Sequence, residues 1–491
     1  MQIKTQKNIK KESGLLVIPF FKEYASGKTP VEYTEELNSF VKKFKKEKEF
    51  EGKRSESISF TVDTKKLPER IVFVGCGKRD KFSAERSRNL GAGICALTKD
   101  NKQIKIIILL TPELNLYVQE LVEGIALKNY RVSKYKTGDE SKKEEKKDIK
   151  EITLVTAKES KVKERASKAL VLAQAANITK DLVNGPANIV DADYFERVAK
   201  HIARDYGYKM RVFDKQKLQR LGWGGLLAIN QGATKPAKCI VLEYKGNGGN
   251  KPIVIVGKGV IFDTGGYNLK PSKFLEDMHS DKAGAAAVIG IFSALKELKI
   301  KQNVVGILPL TENMIDGKAL RPSDIITMLD KKSVEITNTD AEGRVILADA
   351  LTYGCGYKPR YMIDIATLTG AVMAALGDRY SGVLGNDQDL NKKIVQVGEE
   401  TDELTWELPL HEDHRHKMKS KVADLCNCDE GTAHLAGASK GAAFLENFVE
   451  KYPWAHIDIA GTAYTKDPKK YEQTGATGVG VRLMLRFLES L

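Results

Sequence analysis

Short, mostly apolar runs separated by helix-length stretches recur along the chain, and this alternation constrains its fold more than any other feature. In the first third the runs are 15–20, 71–74, 104–110 and 152–155, with helical patterns over 84–98 and 114–127. Later come 239–244, 253–256, 303–309 and 361–365, with a helix expected over 283–298. Strands that are apolar on both faces need cover on both faces, and strands separated by helices pair in parallel. The pattern predicts an α/β protein whose mostly parallel central sheet is flanked by helices. Ligands gather beyond the carboxyl ends of the strands in such sheets.

A chain of 491 residues exceeds the usual size of one hydrophobic core. Two domains are therefore expected, a smaller N-terminal α/β domain over 1–165 and a larger C-terminal domain over 166–491. The boundary is suggested by an Ala- and Leu-rich helical stretch, 162–179, running into Asn184-Gly185-Pro186-Ala187-Asn188, where Gly and Pro break the pattern. A charged excursion over 134–150 interrupts the first domain.

With 42% hydrophobic and 29% charged residues, the composition is that of a globular protein. The first twenty residues carry basic groups and then an apolar run too short for a signal peptide, without a small-residue cleavage site. No stretch approaches the roughly 20 apolar residues of a membrane span, so a cytoplasmic protein with no membrane partner is expected. Six scattered cysteines form no disulfide framework, and Cys426-Asn427-Cys428 lacks a second pair to complete a zinc set, so it reads as structural or incidental. Gly75-Cys76-Gly77 follows a strand without completing a nucleotide-binding fingerprint and reads as a plain turn. The formal charge of +14 raises nucleic-acid binding, but acidic residues interleave the basic ones in 134–150, and Tyr135 is its one stacking aromatic.

Two segments concentrate charge where strands end. In the first, Lys258 and Asp263 flank an apolar step before Gly265-Gly266, and the segment continues through Lys270 to Asp281. In the second, Asn338-Thr339-Asp340-Ala341-Glu342-Gly343-Arg344 lies between the strand-like 334–336 and an apolar helix start at 345–348. Residues at i and i+2 do not share a helix face, whereas a turn can converge Asp340 and Glu342. Carboxylates from separate loops are hard ligands that can bridge two divalent cations. Taken singly, each acid also fits a solvated loop residue, and Asp340 fits a cap for the helix that follows.

Jointly, the run from Asn338 to Arg344 and the series Lys258, Asp263, Lys270, Asp281 closely resemble the leucine aminopeptidase family, also called cytosol aminopeptidases. The resemblance covers the region from Asn184 onward, including 364–371, 406–410 and 454–461, while the N-terminal third is similar only in its α/β pattern. It implies a catalytic domain that removes N-terminal residues, Leu and other apolar ones preferred, from peptide substrates with two divalent metal ions, Mn or Zn foremost and Mg or Co next. Asp263, Asp340 and Glu342 would hold one metal; Lys258, Asp263, Asp281 and Glu342 would hold the other. Lys258 would do so as a neutral amine. Lys270 and Arg344 would be catalytic, Lys270 polarising the scissile carbonyl and Arg344 holding bicarbonate as a proton relay. Asp281 would receive the substrate amino group, and Met278, Thr367, Leu368, Gly370, Ala460 and Ala463 the first side chain. A homohexamer is also implied, and nucleic-acid binding by the N-terminal domain is an additional reading. Lys282 departs from the family pattern, where an apolar residue is common; it would either tune a metal site or point to solvent.

Overall fold

The computed structural model describes residues 1–26, 35, 37–39, 41–42, 50–63, 66–100, 103–132, 135–139, 147–246, 251–429, 435–468 and 470–491. Residues 134 and 140–146 of the charged excursion lie outside these. The chain packs as two units, Met1–Gln174 with Asp467–Gln473 and Ala175–Lys466 with Thr474–Leu491.

Among the described residues, the first unit holds a sheet of six strands: β1 (Gln2–Gln6), β2 (Leu15–Phe21), β3 (Ser57–Thr61), β4 (Arg70–Gly77), β5 (Lys105–Leu109) and β6 (Glu151–Val155), in the order β1-β6-β5-β2-β4-β3. All neighbours are parallel except the edge pair β3 and β4. The uninterrupted apolar run of β2 is buried at every position, as a central strand requires. Helices Ala84–Asp100 and Val118–Lys128 cross closely because a Cβ on Gly91 would lie 2.1 Å from the Leu121 carbonyl oxygen. The expected turn at Gly75-Cys76-Gly77 is instead the end of β4. The strand continues because Gly75 N donates to Glu56 O (2.8 Å) and Gly77 N to Gly52 O (2.9 Å), and a side chain at position 75 would strike the Lys53 carbonyl at 1.8 Å.

The second unit is built on a larger mixed sheet. Its centre is parallel: β9 (Ile253–Gly257) lies between β11 (Val304–Asn313) and β14 (Tyr361–Ala366), and β18 (Trp454–Asp458) pairs β14. Toward one edge, β8 (Lys238–Tyr244) and β7 (Lys209–Phe213) run antiparallel; toward the other, β15 (Ser381–Gly385) opposes β18 and is followed by β16 (Thr405–Glu407). The strand expected over 239–244 exists, therefore, but in the opposite sense to the centre. Helix Ala283–Ala294 is buried at every residue and ends short of the expected 298. Apolar packing against the sheet from Val254, Val256, Ile346 and Leu347 places the core directly beneath the strand ends that carry the charged segments.

The first half of β11 pairs β9, and its second half pairs β10 (Gly259–Asp263). Lys258 occupies the break between the two short strands. Its N–H donates to Ile365 O (3.0 Å) and its carbonyl accepts from Ala285 N (2.8 Å), so β14 and helix Ala283–Ala294 fix the break.

Candidate active site

The carboxyl ends of β9, β10, β11, β14 and β18 point one way, and most of the charged residues singled out from the sequence meet there. Lys258, 3% exposed, places Nζ 2.8 Å from Asp281 Oδ1 and 2.9 Å from Glu342 Oε1, and donates to the Thr367 carbonyl at 2.8 Å. Lys270 places Nζ 2.8 Å from Asp263 Oδ2 and 2.5 Å from Asp340 Oδ1. Carboxylate oxygens of Asp263, Asp340 and Glu342 lie within 4.8 Å of one another. The cluster thus joins all four acids and both lysines.

Local chemistry explains each placement. Asp263 Oδ1 accepts from Gly265 N and Asn313 Nδ2, both at 2.8 Å, which turns the chain back after β10. Gly265 has φ +87, and a Cβ there would meet the Asn268 carbonyl at 2.5 Å. Thr339 locks this turn to the second segment, donating from Oγ1 to Gly265 O (2.6 Å) and accepting from Asn268 N (2.9 Å). Glu342 opens helix Glu342–Cys355, where the helix dipole favours a carboxylate. Asp340 does not cap that helix: Ala341 occupies the cap position, and the Asp340 carboxylate turns to Lys270.

Four carboxylates against two ammonium groups leave the cluster short of positive charge. Burial first, then the charge of Glu342, pushes the Asp263 carboxyl up; burial holds Asp281 well up despite Lys258 beside it. Burial, then Glu342 and Asp263, raise Asp340 to about 7. Burial would raise Glu342 too, but Lys258 and Lys270 outweigh it and hold that carboxyl low. Burial would lower both lysines, yet the surrounding carboxylates outweigh it and raise them. Lys258 is here an ion-pair partner. Among the described residues, Asp281 Oδ2 and Glu342 Oε2 are buried without a hydrogen-bond partner, and Asp340 Oδ1 has the Lys270 ion pair without hydrogen-bond geometry. Leaving such oxygens unpaired costs on the order of several kcal/mol. Hard oxygen donors of this number and spacing fit divalent cations.

The remaining sequence candidates are distributed around this cluster. Thr367 Oγ1 donates to Asp281 Oδ1 at 2.7 Å, and Asp281 N approaches the Met278 carbonyl at 3.4 Å. Leu368 N and Ala460 N both donate to Asp458 Oδ1, at 3.1 and 3.2 Å. Gly370 is exposed at the start of helix Gly370–Leu376, with open space where a Cβ would stand, whereas Ala463 is buried. Arg344 is buried; Nη1 donates to Asn427 O (2.8 Å) while Nε has no hydrogen-bond partner among the described residues. Lys282 does not point to solvent: its side chain is fully buried and donates to the carbonyls of Gly185 (2.8 Å) and Val190 (3.3 Å).

Three contributors escaped the sequence reading. Asn427 binds the second segment through both side-chain atoms, Oδ1 accepting from Thr337 N (2.9 Å) and Nδ2 donating to Asn338 O (2.7 Å). The Cys426-Asn427-Cys428 string marked the place, but its asparagine is the structural element; both cysteines are free. Asp458 holds Leu368, Thr369 and Ala460 together. Asn313, at the end of a long apolar strand, carried no signal beyond its polarity.

An acid-rich cluster with unpaired buried oxygens, at the carboxyl ends of parallel strands, defines the class: an enzyme that works through divalent cations. The family within that class follows from comparison. Models of the cytosol aminopeptidase family match the chain twice, the catalytic domain over residues 177–485 and the N-terminal domain over residues 17–139. A probable cytosol aminopeptidase of Exiguobacterium sibiricum is 41% identical over 422 residues, 86% of each chain. Another from Geotalea uraniireducens is 37% identical over 486 residues, 97% of each. Among solved structures, the bottromycin maturation enzyme BotP in complex with Mn matches with a TM-score of 0.83 at 28% identity, covering 97% of this chain and 99% of that one. The chain belongs to the cytosol aminopeptidase family and is a metal-dependent aminopeptidase.

Proposed function

We propose that the enzyme removes Leu and other apolar residues from the amino ends of peptides using two divalent cations. The observation that carries this reading is the pair of unpartnered buried oxygens, Asp281 Oδ2 and Glu342 Oε2, within a four-carboxylate cluster. Asp263, Asp340 and Glu342 would hold one cation, and Lys258, Asp263, Asp281 and Glu342 the other, with Mn or Zn favoured over Mg or Co. Bound there, the cations would lower the pKa of a water and withdraw charge from the scissile carbonyl. Lys258 would hold its cation as a neutral amine, its proton having gone to solvent.

The chain's own groups supply the rest. Lys270 stays charged and faces the carbonyl oxygen as it gains negative charge. Asp281, oriented by Thr367 Oγ1, receives the free amino group; an internal peptide nitrogen lacks that group, which makes the enzyme an exopeptidase. Arg344 offers a buried Nε with no partner among the described residues, a natural place for a bicarbonate that relays the proton. Met278, Thr367, Leu368, Gly370, Ala460 and Ala463 would receive the first side chain. By family resemblance the molecule is a cytoplasmic homohexamer, with residues 1–165 as a domain separate from catalysis. No described helix is long and apolar enough to cross a membrane. The net charge of +14 favours a second, additional reading, nucleic-acid binding by residues 1–165.

The test is turnover of a series of amino-acid anilides after chelation and re-addition of Mn, Zn, Mg or Co singly. Loss on chelation, recovery with Mn or Zn, and fastest release of Leu are expected. Turnover that survives complete chelation would overturn the metal role, and preference for charged first residues the apolar pocket.

A further inference from the structure

A second concavity, with no part in the peptidase chemistry, lies within the first unit. It encloses about 450 Å³, inside the range of roughly 300–1,000 Å³ usual for small-molecule sites. One wall is a face of helix Ala84–Asp100, where Arg86, Asn89, Leu90, Gly93 and Leu97 recur at helical spacing. The opposite wall is the end of β4, Val74 to Cys76, with the turn through Arg54, Ser55 and Glu56. Phe82 and Ile94 add apolar surface, and Lys128 and Lys470 complete the lining.

Charge selects the ligand. Among the described residues, four basic side chains line the cavity against one acid, Glu56, and its carboxylate already accepts from the backbone N–H of Glu51 (3.0 Å) and Lys53 (2.8 Å). Lys470 is paired with Glu85 at 2.5 Å, and Lys128 donates to the Glu472 carbonyl at 3.2 Å. Arg54 and Arg86 have no side-chain partner among the described residues, so two guanidinium groups stand free beside an apolar wall. There is room for the body of a ligand: the position of a Cβ on Gly93 has nothing from the described residues within 4 Å.

We propose that this cavity binds a small amphipathic anion, a ring-sized apolar body carrying a carboxylate or phosphate, with the acid group on Arg54 and Arg86 and the body against Leu90, Gly93 and Ile94. Guanidinium groups suit either acid, since both match its planar fork. The contact between Glu56 and the backbone keeps the one competing carboxylate out of the way.

Isothermal titration calorimetry on the full chain tests this with three probes: indole-3-propionate, adenosine 5′-monophosphate and uncharged adenosine. At least one anion should bind, about tenfold or more tighter than adenosine; which anion wins separates the carboxylate from the phosphate source. Gly93→Leu fills the cavity without altering charge, and Arg54→Gln with Arg86→Gln removes the free cations without altering shape. Each should weaken binding about tenfold or more while anilide turnover stays at the wild-type level. The helix should tolerate Leu at position 93, because an interior helical Gly is itself unfavourable. Absence of binding by both anions overturns the proposal, as does binding that survives either variant, which would put the anion at the catalytic cations instead.

Discussion

Gly343 shows how tightly the site is specified at the level of single atoms. A Cβ at that position would stand 2.5 Å from Lys258 Cε and 2.6 Å from Nζ, inside any real contact distance. Gly343→Ala must therefore move Lys258 off Asp281 and Glu342. A fall in kcat/KM of about 100-fold or more, about 2.7 kcal/mol of barrier, is expected with the fold retained by circular dichroism. Asp458 acts one layer back: Oδ1 takes Leu368 N and Ala460 N, and Oδ2 takes Thr369 Oγ1 at 2.7 Å. Asp458→Asn turns an amide donor toward one of those donors, at a cost of about 1–3 kcal/mol. A raised KM for leucine anilide and a lowered Tm should result. The charged residues of the cluster were legible jointly, because the run 338–344 and the series Lys258, Asp263, Lys270, Asp281 resemble one family's pattern, whereas each acid alone also fits a solvated loop. Asp458 was not, since an acid ending an apolar strand looks the same whether it binds solvent or three donors.

At the scale of elements, β14 and β18 are joined by side chains as well as by their ladder. Asp364 Oδ1 meets His456 Nδ1 at 2.6 Å, and its Oδ2 accepts from Trp454 Nε1 at 2.7 Å, all fully buried. Burial would lower the His456 pKa, but the Asp364 charge outweighs it and raises it above the usual 6.5. The folded state thus holds a proton that the unfolded chain releases first. The stabilisation is complete below the unfolded pKa and is lost as pH rises through the raised folded value. Thermal melts across that alkaline side should show wild-type Tm falling more steeply with pH than His456→Phe; parallel profiles would contradict the pairing. Apolar runs revealed that strands such as β8 and β9 exist, because burial on both faces leaves a compositional trace. Strand direction left none, which is why antiparallel β8 was unforeseen. Short edge strands such as β16, and β10 beyond the Lys258 break, are set by pairing partners far along the chain rather than by their own periodicity.

Across the whole molecule, the two units were foreshadowed by length and by the Gly and Pro at 185–186. Their division at Gln174 falls inside helix Glu159–Asn184, within the Ala- and Leu-rich stretch 162–179 and ahead of that Gly and Pro. The same limit applied to chemistry: the string from Asn338 to Arg344 pointed to the family, but the electrostatic deficit that calls for cations exists only once Lys258, Asp263, Lys270 and Asp281 have been folded against it. The number of cations bound by this assembled cluster therefore decides whether it is the proposed two-metal centre. Inductively coupled plasma mass spectrometry on dialysed wild-type protein and a folded Glu342→Ala variant, with turnover measured on the same samples, tests it most directly. About two divalent ions per wild-type chain are expected, and loss of at least one ion with loss of turnover in the variant; a variant that keeps both its metal content and its activity would contradict the account.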